Sequence, residues 1–166
     1  MAQGRKVFSL RLCDRDFETR PKRLWVEKPE LFNAKGSGET MDENELSKVI
    51  VESAIEVHRT LGGPGLLESV YRDAMNYEIT HRGVLVEKEK PVPVRYKGEL
   101  VSAPLKLDLL VGGLVIVECK AVVTYNPIFE SQTLTYLRLT GLKLGIVINF
   151  GQRLVKHGIH RVVNGL

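Results

Sequence analysis

Two acidic residues and a lysine interrupt a stretch of the chain that is otherwise mostly apolar. Asp108 lies in a first apolar run, Glu118 and Lys120 end a second, and Gly112-Gly113 separates the two. Burying an unpaired carboxylate is costly, so these charges need partners. Carboxylate oxygens suit Mg²⁺ or Mn²⁺, with water and phosphate filling the remaining coordination positions. The residue types therefore favour metal-assisted chemistry on a phosphodiester.

The two apolar runs predict a β-hairpin over residues 104–120 that turns at the glycines. Side chains alternate along a strand, so Glu118 and Lys120 share one face. Cys119 points to the opposite face, where a small buried side chain is expected. The sheet must therefore present its polar face at the end of the second strand.

The length of the hairpin loop decides whether Asp108 reaches that polar face. A two-residue glycine turn would place Asp108 opposite Val117, on the wrong face for Glu118. A three-residue loop over 112–114, with a bulge, would place it opposite Glu118. We predict the three-residue loop. Carboxylates on opposite sheet faces would exclude a shared metal site.

Lys120 has two alternative roles beside these carboxylates. In a metal site it would orient or deprotonate the attacking water, or offset charge on the transition state. In a purely structural site it would form a salt bridge to Glu118 or Asp108 at a strand end, with no metal. Ion-pair networks also place charges in clefts, so spacing alone does not separate the two.

A helix is predicted directly after this hairpin, over residues 127–140, with Asn126 as its cap and Gly141 at its end. Gln132 and Tyr136 are four residues apart and share a face of that helix. The amide could orient a water or a phosphate, and the hydroxyl could reach a nucleic-acid backbone. The alternative is a tyrosine that only packs the helix against the sheet.

Together these residues resemble a known nuclease pattern. Asp108, Glu118-x-Lys120 and Gln132-x-x-x-Tyr136 are similar to the motifs of the PD-(D/E)XK nuclease superfamily, especially its RecB-like members. Upstream, the segment 65–71 spells the Gly-x-x-Glu-x-x-Tyr motif of the GxxExxY family, a branch of that superfamily. The similarity extends from about Met41 to the C-terminus. The segment 61–65 reads Leu-Gly-Gly-Pro-Gly, one glycine longer than the Leu-Gly-Pro-Gly that is usual in this family.

The resemblance implies an α/β fold with a restriction-endonuclease-like core, in which helices flank a mixed central β-sheet. It implies a Mg²⁺-dependent (or Mn²⁺-dependent) nuclease acting on DNA or RNA, with Asp108, Glu118, Lys120 and Gln132 as catalytic residues and Tyr136 positioning the substrate. It also implies that Glu68 joins Asp108 and Glu118 as a metal ligand. Glu68 could instead merely complement a helix dipole. Members of one fold can differ in function, so the alternative is an inactive module that binds nucleic acid or a protein partner.

Composition and charge fit one globular domain with a substantial core. The chain has 166 residues, of which 43% are hydrophobic and 27% charged. Its two cysteines cannot form a disulfide framework, and no run is long enough to span a bilayer, so we expect a cytoplasmic protein. The net charge of +4 lies mostly in residues 1–40. Any nucleic-acid contact in the remainder must therefore come from a local patch.

The chain divides into an N-terminal extension, 1–40, and a nuclease-like domain, 41–166. The extension is expected to be dispensable or to dock as an arm on the domain or a partner, and it or an edge strand could mediate a homodimer. Pro91 and Pro93 are expected to keep the early strands near an edge. The predicted elements are helices 43–60, 66–82 and 127–140, strands 84–90, 92–97, 142–150 and 153–163, and the hairpin 104–120.

Overall fold

The computed structural model describes residues 41–165 as a five-stranded mixed sheet with helices on both faces. Its elements are α1 (Glu43–Thr60), α2 (Glu68–His81), β1 (Val86–Val92), β2 (Arg95–Tyr96), β3 (Glu99–Leu100), β4 (Leu105–Val111), β5 (Val115–Lys120), α3 (Ile128–Thr140), β6 (Leu144–Asn149), a 3-10 helix (Val155–Gly158) and β7 (Ile159–Val163). The strand order is β1-β4-β5-β6-β7. The predicted α/β fold class is confirmed.

The central strands are buried on both sides, which explains why they are almost continuously apolar. β5 and β6 run parallel, with α3 as the crossover between them, and the other neighbours in the sheet are antiparallel. α1 and α2 pack on one face, here called the α1–α2 face, around Tyr71, Met75 and Phe150. α3 covers the other, the α3 face, with Leu137 against Ile116. Two apolar layers therefore fix the sheet between the helices.

Local capping sets where the helices begin and end. At α1, the Asp42 carboxylate accepts from the amides of Asn44 and Glu45, both at 2.8 Å, and the Glu45 side chain accepts from the Asp42 amide at 2.9 Å. This is a reciprocal capping box. Before α3, Asn126 Oδ1 accepts from the Ile128 amide at 3.0 Å. Gly141 ends α3 with a φ of 70°.

The β4–β5 hairpin has the odd-length loop that the sequence predicted. Leu109 pairs with Val117, and Val111 pairs with Val115, which leaves 112–114 as the loop. Gly112 and Gly113 have φ values of 58° and 66°, a backbone region that glycine enters without strain. Continuing the register by one residue places Asp108 opposite Glu118. The predicted cross-strand placement is therefore confirmed.

Several predicted element boundaries were wrong. The predicted strands 84–90 and 92–97 are one strand, β1, followed by the small β2–β3 hairpin. β1 is an edge strand with one side unpaired, so Pro91 can be accommodated without losing a ladder bond. The predicted helix 66–82 begins only at Glu68.

The predicted strand 153–163 is shorter, because a 3-10 helix occupies its first part and buries Val155 in the core.

The extension 1–40 lies outside the described residues. Within residues 41–165, no helix has the length and apolarity to cross a membrane.

Candidate functional site

The side chains of Asp108 and Glu118 each contact a backbone amide of the opposite strand, at the point where the β4–β5 ladder ends. The Cys119 amide donates to Asp108 Oδ2 at 2.9 Å, and the Asp108 amide approaches Glu118 Oε1 at 3.4 Å. Each carboxylate thus takes the place of a backbone acceptor in the ladder. This reciprocal arrangement brings both carboxylates together at one end of the sheet, as the metal-site hypothesis requires.

Glu118 is an acidic side chain in an almost fully buried position, with 4% of its surface exposed. Burial, and next the neighbouring Asp108 charge, raise the pKa of Glu118 to about 7, although Lys120 opposes the shift. Deprotonated Glu118 is therefore costly unless more positive charge is nearby. A cation held by its carboxylate would supply that charge.

Lys120 lies at the carboxyl end of β5, where helices from both faces of the sheet reach it. Its Nζ is 3.7 Å from Glu68 Oε1, 3.7 Å from Glu118 Oε2 and 5.6 Å from the centre of the Phe129 ring. Burial alone would lower the pKa of Lys120, but the Glu118 and Glu68 charges outweigh burial and raise it. Lys120 is therefore a cation here, suited to orienting a water or offsetting charge rather than to accepting a proton.

Glu68 reaches the same lysine from the first turn of α2. Burial raises the pKa of Glu68, with Lys120 opposing that shift and Asp108 adding to it. Its side chain remains 41% exposed. The structure thus places Glu68 and Glu118 at the same distance from Lys120, and Asp108 beside Glu118.

Gln132 and Tyr136 face the site from α3. Gln132 Nε2 donates to the Tyr136 hydroxyl at 2.9 Å, so the tyrosine holds the amide in one orientation. Tyr136 is buried, which raises the pKa of its hydroxyl, and the nearby Glu118 charge adds to the shift. Gln132 itself is exposed, next to the buried tyrosine. Tyr136 therefore both packs α3 and positions the glutamine.

Tyr71, the tyrosine of the Gly-x-x-Glu-x-x-Tyr motif, packs in the core. Its ring is fully buried and stacks on Phe150 with centroids 4.5 Å apart. Its hydroxyl donates to the Gly63 carbonyl at 2.7 Å and accepts from the Leu66 amide at 3.2 Å. Tyr71 thereby anchors the loop that leads into α2 and sets the position from which Glu68 extends.

Comparison with known proteins supports the arrangement of these elements. A family model described as the PD-(D/E)XK nuclease superfamily matches residues 44–162, from the first turn of α1 into β7. The chain belongs to the PD-(D/E)XK nuclease superfamily. No curated protein and no solved structure gives a significant match. The superfamily predicted from the motifs is confirmed, and with it a nuclease-type fold around the carboxylate cluster.

Asn149 is a buried polar residue of this superfamily domain that fixes the segment leaving Lys120. Its Oδ1 accepts from the amides of Val122 and Gly151, both at 3.0 Å, and its Nδ2 donates to the Val122 carbonyl at 2.9 Å. The Phe150 amide donates to the Lys120 carbonyl at 2.7 Å. These bonds tie the end of β5 to the end of β6, so Lys120 starts from a fixed backbone.

Arg72 is a site residue that the sequence motifs did not indicate. Its Nη1 lies 3.3 Å from Asp108 Oδ1, and its side chain is only 18% exposed. The available signal was its spacing: Arg72 follows Glu68 by four residues, so both lie on the same face of α2. This spacing places Arg72 beside Glu68, but it does not identify Asp108 as the partner of Arg72.

The donor atoms of the nuclease-superfamily site fit a hard divalent cation. Asp108, Glu118 and Glu68 supply only oxygen, which Mg²⁺ and Mn²⁺ prefer. In residues 41–165 no group of three acidic, histidine or cysteine side chains is already arranged as a metal cage. Instead, Arg72 pairs with Asp108, and Lys120 lies 3.7 Å from both Glu68 and Glu118. Asp108 and Glu118 are adjacent, so they are the two residues best placed to hold the ion together.

Proposed function

We propose that this protein is a Mg²⁺-dependent (or Mn²⁺-dependent) nuclease that hydrolyses phosphodiester bonds in DNA or RNA. The observation that carries the proposal is the reciprocal contact of Asp108 and Glu118 at the end of the β4–β5 ladder, with Lys120 beside them. A chain that needed only a stable sheet would be served as well by apolar residues at these positions. Superfamily membership supplies the reaction class.

Each side chain has a distinct role in the proposed reaction. Asp108 and Glu118 would hold the cation, with Glu68 as a third oxygen donor on the open side. The bound cation supplies an acidified water and stabilises negative charge on the phosphate. Lys120, as a cation at 3.7 Å from Glu118, orients the attacking water and offsets charge in the transition state.

Gln132 and Tyr136 would position the scissile phosphate from the opposite side. The exposed amide of Gln132 is oriented by its bond to Tyr136 Oη, so the amide is prepared to contact a phosphate oxygen or the attacking water. The tyrosine itself is buried and acts through the glutamine. Loss of the hydroxyl should therefore affect substrate positioning more than metal binding.

The charge balance of the site favours binding of a cation. Three carboxylates (Glu68, Asp108 and Glu118) face two permanent cations, Arg72 and Lys120. With all three carboxylates ionised, the cluster has a surplus of negative charge in a half-buried position, where electrostatic interactions are stronger than in water. The surplus attracts a divalent ion, which in turn would attract a phosphate.

The second candidate function is a non-catalytic module that uses the same fold to bind nucleic acid or a protein. The observation that favours it is that Arg72 and Lys120 already pair with the carboxylates without a metal. In that case the cluster would be a structural ion-pair network. Divalent-metal binding separates the two functions, since a structural network would have no affinity for the ion.

We further propose that the chain belongs to the GxxExxY and RecB-like branch of the superfamily. Two features support this placement: the Gly-x-x-Glu-x-x-Tyr motif at 65–71 coincides with the loop and first turn of α2, and Gln132 and Tyr136 lie on the helix that follows β5. Within residues 41–165 the buried thiol of Cys119 has no disulfide partner, which suits a reducing cytoplasm.

The test is cleavage of labelled single-stranded, duplex and branched DNA and RNA with Mg²⁺, with Mn²⁺ and with EDTA. The parent should cut at least one substrate only when the divalent ion is present. Glu118→Gln should lose that activity, whereas Glu99→Gln, which removes an exposed carboxylate from the β2–β3 hairpin, should retain it. Cleavage that persists in Glu118→Gln would reject the assigned site.

A further inference from the structure

Arg72 occupies the carboxylate oxygen that a metal ion would need. Asp108 Oδ2 already accepts a hydrogen bond from the Cys119 amide at 2.9 Å, whereas Oδ1 faces Arg72 Nη1 at 3.3 Å. A cation shared with Glu118 would therefore compete with the guanidinium for Asp108. Two cations near one carboxylate oxygen repel each other, and water screens this repulsion only weakly in a half-buried site.

The contact between Arg72 and Asp108 is long for a charged pair. Charge-assisted bonds between nitrogen and a carboxylate usually measure about 2.7–2.9 Å. Arg72 Nε is buried and has no hydrogen-bond partner among the described residues. The nearest carboxylate oxygen recorded for it, Asp73 Oδ1, is 3.9 Å away. A guanidinium offers five donors, and within residues 41–165 this one makes a single hydrogen bond, to Asp108. Arg72 is thus held near Asp108 by charge rather than by a saturated hydrogen-bond network.

A second carboxylate lies within reach of the same guanidinium. Glu89 Oε1 is 3.6 Å from Arg72 Nη1, and the Glu89 side chain is 43% exposed. Glu89 lies on β1 opposite Asp108, between the pairs Lys88 with Leu109 and Lys90 with Leu107. Its φ of 51° is uncommon for a glutamate. The backbone is therefore irregular at the position that gives Arg72 an alternative partner.

Strand β4 is also irregular at this point. Leu107 and Leu109 are two residues apart and would share a face in a regular strand. Leu107 instead packs in the core on the α3 face, and Leu109 packs in the core on the α1–α2 face. The alternation of side chains in β4 is therefore interrupted at Asp108. The Asp108 carboxylate can contact Arg72 of α2 and also lies next to Glu118 of β5.

We propose that Arg72 is a positioning residue that holds Asp108 in the metal-free protein and moves to Glu89 when a divalent cation binds. This inference rests on the proposed metal site and assigns Arg72 as a residue that sets the affinity of that site for the cation. Arg72 balances the Asp108 charge until the ion arrives, and Glu89 accepts the displaced guanidinium. The charge of Arg72 therefore opposes metal binding, and the carboxylate of Glu89 assists it.

The test measures Mn²⁺ binding by calorimetry in the absence of nucleic acid. Arg72→Met, which keeps much of the side-chain volume and removes the charge, should lower the Kd for Mn²⁺ by about fivefold or more. Arg72→Lys, which keeps a charge, should stay within about threefold of the parent. A thermal melt in EDTA establishes that each variant is folded, and Arg72→Gln replaces Arg72→Met if that variant does not fold.

A double-mutant cycle tests the role of Glu89. Glu89→Gln should raise the Kd of the parent for Mn²⁺ by about threefold but leave the Kd of Arg72→Met unchanged, because no guanidinium then needs a new partner. If Glu89→Gln changed the Kd for Mn²⁺ equally in the parent and in Arg72→Met, the proposed movement of Arg72 from Asp108 to Glu89 would be overturned.

Two failures can be told apart. If the parent binds Mn²⁺ and Arg72→Met binds it no more tightly, Arg72 does not oppose the ion, and this inference fails alone. If neither the parent nor Arg72→Met binds Mn²⁺, the proposed metal-dependent function fails and takes this inference with it.

Discussion

Asp108 and Glu118 face each other across the last position of the β4–β5 ladder, and each carboxylate contacts a backbone amide of the opposite strand. This contact removes two side chains from free rotation before any ion binds. Preorganised ligands lose less conformational entropy on binding, so a pair of this kind favours affinity. The geometry of the site therefore depends directly on the length of the hairpin loop.

Asp108→Asn should weaken Mn²⁺ binding by about tenfold or more, because the change removes a charge but keeps an oxygen that can accept from the Cys119 amide. The fold should be retained, with the free energy of unfolding lowered by about 1–2 kcal/mol through loss of the Arg72 pair. Calorimetry with Mn²⁺ and a denaturant titration in EDTA measure the two effects.

A suitable control for Asp108→Asn is Asp73→Asn, which neutralises an exposed carboxylate that pairs with Lys88. This control should bind Mn²⁺ like the parent. Equal affinity of Asp108→Asn and Asp73→Asn would remove Asp108 from the metal site.

The metal-free protein should become less stable as the pH rises from about 5 to 8. The pKa of Glu118 in the folded state is about 7, above its ordinary value of 4.5. Its protonated form therefore stabilises the fold below the ordinary pKa, and this contribution is lost as the pH rises through about 7. The loss is on the order of 3 kcal/mol at most.

Glu118→Gln cannot titrate, so the free energy of unfolding of this variant should change less over the same pH range. Denaturant titrations in EDTA at several pH values compare it with Glu99→Gln, which should keep the slope of the parent. A parent whose stability rises over this range, or a Glu118→Gln variant with the same slope as the parent, would contradict the assigned burial of Glu118.

Lys120→Met should separate metal binding from catalysis. Removing the ammonium 3.7 Å from both Glu68 and Glu118 should leave the Mn²⁺ affinity equal or higher. Cleavage should fall by about a hundredfold or more, because the transition state loses its positioned cation. Lys156→Met, which removes an exposed lysine of the 3-10 helix, should change neither quantity. A Lys120→Met variant that cleaves as fast as the parent would leave the lysine with a structural role only.

Gly112→Ala should destabilise the hairpin that aligns the carboxylates. Gly112 has a φ of 58°, and a Cβ there would come within 2.7 Å of Leu46 Cδ1 in the core. The expected loss of unfolding free energy is about 2–4 kcal/mol, combining backbone strain with overpacking. Gly98→Ala carries the same type of strain at a φ of 93° with open space around it, so it should cost less. Equal melting temperatures for the two variants would show that the contact with Leu46 is unimportant.

Local patterns were sufficient to predict the hairpin and its loop length. The two apolar runs, the glycine pair and the requirement that Asp108 and Glu118 share a site left only an odd-length loop. Pro91 and Pro93 correctly indicated an edge strand, but Pro91 was wrongly taken to separate two strands. β1 continues through Pro91 because the open side of an edge strand needs no amide donor.

The pairing of Arg72 with Asp108 could not be predicted from local patterns. The two residues are 36 positions apart and meet only because α2 packs on the sheet that contains β4. A similar limit applies to Asn149, whose bonds to Val122 span 27 positions. Motif spacing therefore identified the carboxylates and Lys120, whereas the residues that balance and hold them required the tertiary structure.

The most direct measurement of the central claim is a crystal structure of the protein soaked in Mn²⁺, with anomalous diffraction data collected to locate the ion. The expected result is an anomalous peak about 2.2 Å from one oxygen of Asp108 and one of Glu118, with Arg72 moved away from Asp108. The result that would contradict the claim is a well-ordered site at saturating Mn²⁺ in which Arg72 still pairs with Asp108 and no peak lies between the two carboxylates.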